Sequence, residues 1–122
     1  MPASRKIWRF YNETRESLLA SQVVMAANIW LRLKGLLFTR SLPAGHGLYL
    51  TPCSAIHMIG MTYAIDALFL AGDGKVVGIL EKIGPWQMSC VYWDAKGCLE
   101  LPAGTVSSTG TKLGDTIISE NI

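Results

Sequence analysis

The sequence predicts a mainly β protein, a compact antiparallel sandwich or partly closed barrel of about eight short strands with one short helix. Three features of the 122-residue chain lead there. Apolar runs are short and recur throughout, chain-turning Asn, Asp, Gly and Pro residues separate them, and only residues 25–34 change to a helical period.

Lys6 to Tyr11 and Ser17 to Val24 read as a hairpin around Asn12, Glu13 and Thr14. From Met25 to Lys34 the helix-forming residues and the stop at Gly35 predict the one helix, with Ile29, Leu33 and Leu36 on one side. Ser41 to Gly47 is a loop, and Leu48 to Leu50 is a short apolar segment before Pro52. Tyr63 to Leu70 and Lys75 to Glu81 flank Asp73 and Gly74, whose tolerance of positive φ suits a hairpin turn. Met88 to Trp93 and Gly97 to Leu101 read as a further strand pair, closed by Pro102 to Gly104. Leu113 to Ile118 supplies a last turn and strand.

The length suits a single domain spanning residues 1–122. Half of the residues are hydrophobic, 16% are charged and the net charge is +2. The basic residues are scattered, so no nucleic-acid partner is expected. No apolar run approaches the roughly 20 residues of a spanning helix, so no membrane span is expected either. The N-terminal residues lack an apolar signal core, and Cys53, Cys90 and Cys98 form an odd set without a CxxC pair. A cytoplasmic location with reduced thiols is the expectation.

Within this pattern stand Lys34 to Leu37, Gly47 with Leu48, Pro52 with Cys53, His57 with Gly60 and Met61, and Ile65 with Asp66. Phe69 with Leu70, Asp73 to Val77, Pro85 with Trp86, Leu99 to Gly104, and Gly114 with Asp115 follow in order. In these residues the chain resembles the uncharacterised family called domain of unknown function 192, over roughly residues 18–118. The resemblance implies a compact, mainly β fold and a set of site positions, without an activity. Basic residues common in the family after the Gly-Met and Pro-Trp pairs are here Thr62 and Gln87, and Lys34 stands where Arg is usual. Lys34 lacks the planar fork that makes Arg a bidentate anion partner.

The densest chemistry lies between Cys53 and Leu70, where a thiol, an imidazole, thioethers and a carboxylate sit in the most apolar part of the chain. Cys53, His57, Met58 and Met61 could suit a soft metal. On one strand, however, successive members of Cys53, His57 and Met61 would stand about 13 Å apart, too far to share an ion. No metal and no cofactor is expected, with Cys53 and His57 the remaining metal candidates. A thiol nucleophile, Cys53 activated by His57, needs a contact that Pro52 and Gly60 disfavour.

Asp66 and Glu100 each stand among apolar neighbours on predicted strands. Facing each other, they would be candidate acid and base with His57, as in a glycoside hydrolase; otherwise each fixes a strand end through backbone hydrogen bonds. Trp86, Tyr92, Trp93 and Tyr63 could line a stacking cleft. The leading expectation is an accessory module that binds a small polar ligand or a protein partner in one pocket lined by His57, Met61, Asp66, Trp86 and Glu100. The alternatives are a hydrolase-like enzyme with catalytic candidates His57, Asp66 and Glu100, and a structural partner in a larger assembly.

Overall fold

A computed structural model describes residues 7–26, 42–58 and 61–122. Its strands are β1 (Ile7–Asn12), β2 (Ser17–Ala26), β3 (His46–Leu50), β4 (Ile65–Leu70), β5 (Val76–Ile83), β6 (Gly97–Pro102) and β7 (Ile117–Asn121), with one short helix α1 (Thr105–Thr109) between β6 and β7. They form one sheet in the order β5, β4, β6, β3, β2, β1, β7. All neighbouring pairs are antiparallel except β2 with β3, which run parallel.

The sheet curls into a half-barrel. Its ends meet where Lys75 pairs with Thr116, the Val76 amide donates to the Asp115 carbonyl (2.8 Å) and the Ile117 amide donates to the Gly74 carbonyl (2.8 Å). Inside the curl, Phe10 and Ile117 from one end pack in one cluster with Val76 from the other and with Val23, Leu68, Leu99, Leu101 and Val106 between them. The outer face carries a second cluster, with Leu48, Leu50, Ala67, Phe69 and Cys98 from the strands and Ile56, Met58 and Met61 from the connection before β4. Two cores explain why β4 is buried at every position and reads as a continuous apolar run. Each such aliphatic or aromatic side chain removed from water contributes roughly 1.5–3 kcal/mol.

The opening hairpin, the hairpin at Asp73 and Gly74 and β6 stand where the sequence places them, and the final strand starts within the expected 113–118 but runs on to Asn121. Two expectations change, and one element is new. Met25 and Ala26 extend β2, and the rest of the helix expected over 25–34 lies outside the described residues. Residues 88–93 do not pair with β6, because both sides of β6 are already taken by β3 and β4; they bond instead to residues 53–57. Finally, Thr105–Thr109 is helical despite a Thr and Ser content that favours turns over helix interiors.

The end of β1 and the turn after it are locked to the run-up to β7 by a buried polar network. Asn12, fully buried, donates through Nδ2 to Thr111 Oγ1 and Asp115 Oδ2, both at 3.0 Å, while Arg15 Nε and the Lys112 amide also donate to Asp115 Oδ2 (3.0 and 2.9 Å). Burial alone would raise the Asp115 pKa. The hydrogen bonds from Arg15, Asn12 and Lys112, with the Arg15 charge, outweigh it and hold the carboxyl at about 2.

Candidate functional site

Strand register decides which candidate residues can meet. In the β4–β6 ladder Asp66 faces Leu101 while Ala67 faces Glu100. Opposed residues in a ladder share a face and successive residues alternate, so Asp66 projects inside the curl and Glu100 projects to the outer face. The β3–β6 ladder agrees, placing Leu48 of the outer cluster opposite Glu100. The two carboxylates therefore do not share a pocket, and the paired-acid arrangement of a glycoside hydrolase is not formed by them.

Asp66 has a defined structural task. Its Oδ1 accepts the Lys82 amide (2.9 Å), and its Oδ2 accepts the Gly104 and Val106 amides (3.1 and 2.8 Å). The last two are orphan donors at the start of α1, which has no side-chain cap of its own. Asp66 thus caps from about 40 residues upstream a helix that propensity alone does not form. Gly104 sits at φ 97°, where a side chain would be strained, and this lets the chain turn its amide onto the carboxylate.

The other four candidates lie on the outer side. Met61 is buried in the outer cluster, in the layer that receives the fully buried Glu100. Above that layer, residues 53–58 and 86–92 form an irregular antiparallel ribbon. The Ser89 amide donates to the Ile56 carbonyl (2.8 Å) and the Met58 amide to the Gln87 carbonyl (2.7 Å), so the two bonds bracket a close His57–Met88 pair. Ile56 and Met58 point into the core, which turns the half-buried His57 ring to the opposite side of the ribbon, with its Nδ1 covered, beside an exposed Met88. The Trp86 amide donates to the Met58 carbonyl (2.9 Å), and Trp86 is 70% exposed at φ 67°. A bulky residue in the left-handed region is strained by about 1–2 kcal/mol.

Residues 10–119 match the family model described as uncharacterized ACR, domain of unknown function 192. The chain belongs to that family. No curated protein matches it. Among solved structures it is similar to a candidate transcription regulator from Sinorhizobium meliloti 1021, at 24% identity, covering 98% of this chain and 96% of that one with a TM-score of 0.77. It is also similar to a protein of unknown function from Novosphingobium aromaticivorans DSM 12444, at 19% identity, covering 92% and 83% of the two chains with a TM-score of 0.75. Both likenesses are of fold.

In this member of the domain of unknown function 192 family, the motif residues divide by task. Asp66, Gly104 and Asp115 hold backbone turns together, whereas His57 and Trp86 stand on the ribbon. The aromatic set divides as well. Tyr92 stacks on Phe69 with ring centroids 4.3 Å apart and covers Gly78, while Trp93 is exposed. Burial, and then a hydrogen bond with Cys90, push the Tyr92 phenol pKa up. Met88 escaped the sequence reading. Its signal was the spacing of Trp86 and Met88 on a segment rich in apolar residues.

The soft-metal set is dispersed by the same ribbon: Met58 and Met61 are core residues, and the Cys53 thiol donates to the Ala55 carbonyl at 3.1 Å. Among the described residues no cluster of three or more His, Cys, Asp or Glu side chains is placed to hold a metal ion. None of their helices is long and apolar enough to cross a membrane.

Proposed function

We propose that the protein is a non-catalytic binding module whose contact surface is the ribbon of residues 53–58 and 86–92, with Trp86 as its anchor and His57 and Met88 beside it. One observation carries this reading: a tryptophan is held exposed at a strained backbone angle. Strain of that kind persists only where the surroundings enforce it, and it gathers at ligand clamps. An exposed indole with a neighbouring thioether gives a large apolar contact at low entropic cost, and the imidazole adds a polar handle. Met61 and Glu100 lie in the buried layer on the ribbon's side of the sheet. Asp66 has no direct part, since its oxygens face the other side of the sheet.

The test is a titration of isotopically labelled protein with nucleosides, monosaccharides and short aromatic peptides, read at the Trp86 indole and His57 ring resonances. The expected result is a saturable shift with at least one of these probes, absent in a folded Trp86→Ala variant. Binding unchanged by Trp86→Ala, or no probe shifting Trp86, contradicts the reading.

A further inference from the structure

The half-barrel leaves its seam open on one side, and we propose that this seam is a second, separate site that takes an extended polypeptide strand by sheet augmentation along β7. The Ile117 amide already bonds the Gly74 carbonyl across the seam, and beyond that rung β7 runs on past the 71–74 turn. Which backbone groups face outward follows from the β1–β7 ladder. The Glu13 amide donates to the Thr116 carbonyl and the Ile122 amide to the Ile7 carbonyl (both 2.9 Å), so even-numbered residues of β7 bond to β1. Ser119 and Asn121 therefore turn their amide and carbonyl groups to the open edge, and β1 is the one strand paired with β7 among the described residues. An edge of this kind is a template for another strand.

Side-chain space flanks the edge on both faces. Inside the curl, a cleft of about 300 Å³ lies between β7 and the 71–74 turn, floored by Phe10, Tyr49 and Leu70. Burial, and then Cys98, raise the Tyr49 pKa. On the outer face, a cleft of about 370 Å³ is lined by residues that include Leu18 and Ile118, which are 49% and 44% exposed. Ser119 lines both clefts. A strand whose side chains alternate faces would fill the two at once. The partner's character follows from charge. Arg9 and Glu120 on the outer side pair with each other, which leaves Asp73 as the charged residue lining the inner cleft. The occupant is an apolar extended segment with basic rather than acidic flanks, continuing the ladder that Gly74 and Ile117 begin.

Two capped five-residue peptides test this, three valines flanked by lysines and three valines flanked by glutamates, titrated into labelled full-length protein. The lysine peptide is expected to shift the Ser119 and Asn121 amides saturably and to bind about threefold tighter than the glutamate peptide at low salt. Ser119→Pro removes an outward N–H without touching the β1 ladder, and it is expected to abolish binding. Asp73→Asn retains the turn acceptor for the Lys75 amide and is expected to keep binding while erasing the preference for lysine. Peptide shifts confined to Trp86 and His57, or no shift at Ser119 and Asn121, overturn the proposal. Concentration-dependent shifts at the same amides without peptide, with dimer seen by sedimentation, also overturn it by assigning the edge to a second copy of the chain.

Discussion

Asp66 and Glu100 occupy neighbouring rungs of one ladder, both fully buried and both between apolar residues, yet they belong to opposite sides of the molecule. Inside the curl, Asp66 meets three backbone amides and ties β4 to β5 and to α1. Outside, Glu100 stands in the layer beneath a ribbon that carries an exposed tryptophan and methionine. The inner face spends its polar groups on holding the sheet's ends and turns in place; the outer face supports a surface. Sheet parity, one residue either way, separates an architectural acid from one under a binding surface.

Asp66→Ala removes the inner face's main polar tie. It leaves three amide donors without their acceptor, at roughly 1–3 kcal/mol for each buried group, and water reaching Lys82 and Gly104 moderates the total. A loss of about 4 kcal/mol is expected in urea unfolding at neutral pH, with helical signal from α1 lost first. A change below about 1 kcal/mol would remove Asp66 from its capping role.

The sequence made the turns legible and left the parity hidden. Asp73 and Gly74 announce their hairpin because the required backbone angles are a local property of those residues. Thr105–Thr109 could not be read as a helix, because its cap is the side chain of Asp66 and arrives only when β4 and β6 pair. Asp66 and Glu100 read as a pair in the sequence for a related reason. Both strands are buried on two faces, so no polar alternation marks which residues point where. Residues 88–93 resemble a strand in composition, but strand partners are a property of the whole sheet, and β6 had none to spare. His57, Met61, Trp86 and Glu100 were legible as candidates because they are the costly or unusual residues in apolar surroundings; their common side was not.

On the outer face, packing offers a second break. The Tyr92 ring lies directly over Gly78, where an added Cβ would overlap it. Gly78→Ala should destabilise the protein by about 2 kcal/mol through displacement of Tyr92 from Phe69. It should also perturb the ribbon, because the Tyr92 amide bonds the Ser54 carbonyl (2.8 Å). Near-ultraviolet circular dichroism reports the ring movement. An unchanged aromatic spectrum would mean that the ribbon is not anchored there.

Charge gives a further test, since Asp115 is a buried acid with a cationic partner, Arg15. Its folded pKa, about 2 against an ordinary 3.8, is depressed. Its contribution is therefore complete above the unfolded value and is lost as pH falls through about 4 towards 2. Arg15 is 39% exposed, so screening reduces the full shift to about 1–2 kcal/mol. Unfolding free energies of Asp115→Asn across that range should show a shallower pH slope than those of the parent chain. Equal slopes would place the acid sensitivity elsewhere.

The smallest effect is the most telling about the outer face. If Trp86 is held at φ 67° for contact and not for folding, Trp86→Gly should relieve left-handed strain of about 1–2 kcal/mol while adding about 0.5–1 kcal/mol of glycine backbone entropy. The indole is 70% exposed, so little burial is lost with it. The net expectation is a gain of up to about 1 kcal/mol in stability, read as a higher urea midpoint with an unchanged slope, together with loss of any ligand response at His57. Such an opposition between stability and binding is the signature of a strained contact residue. A Trp86→Gly variant that loses stability would instead make the tryptophan a structural clasp over Met58, and the outer face would then resemble the inner one in purpose.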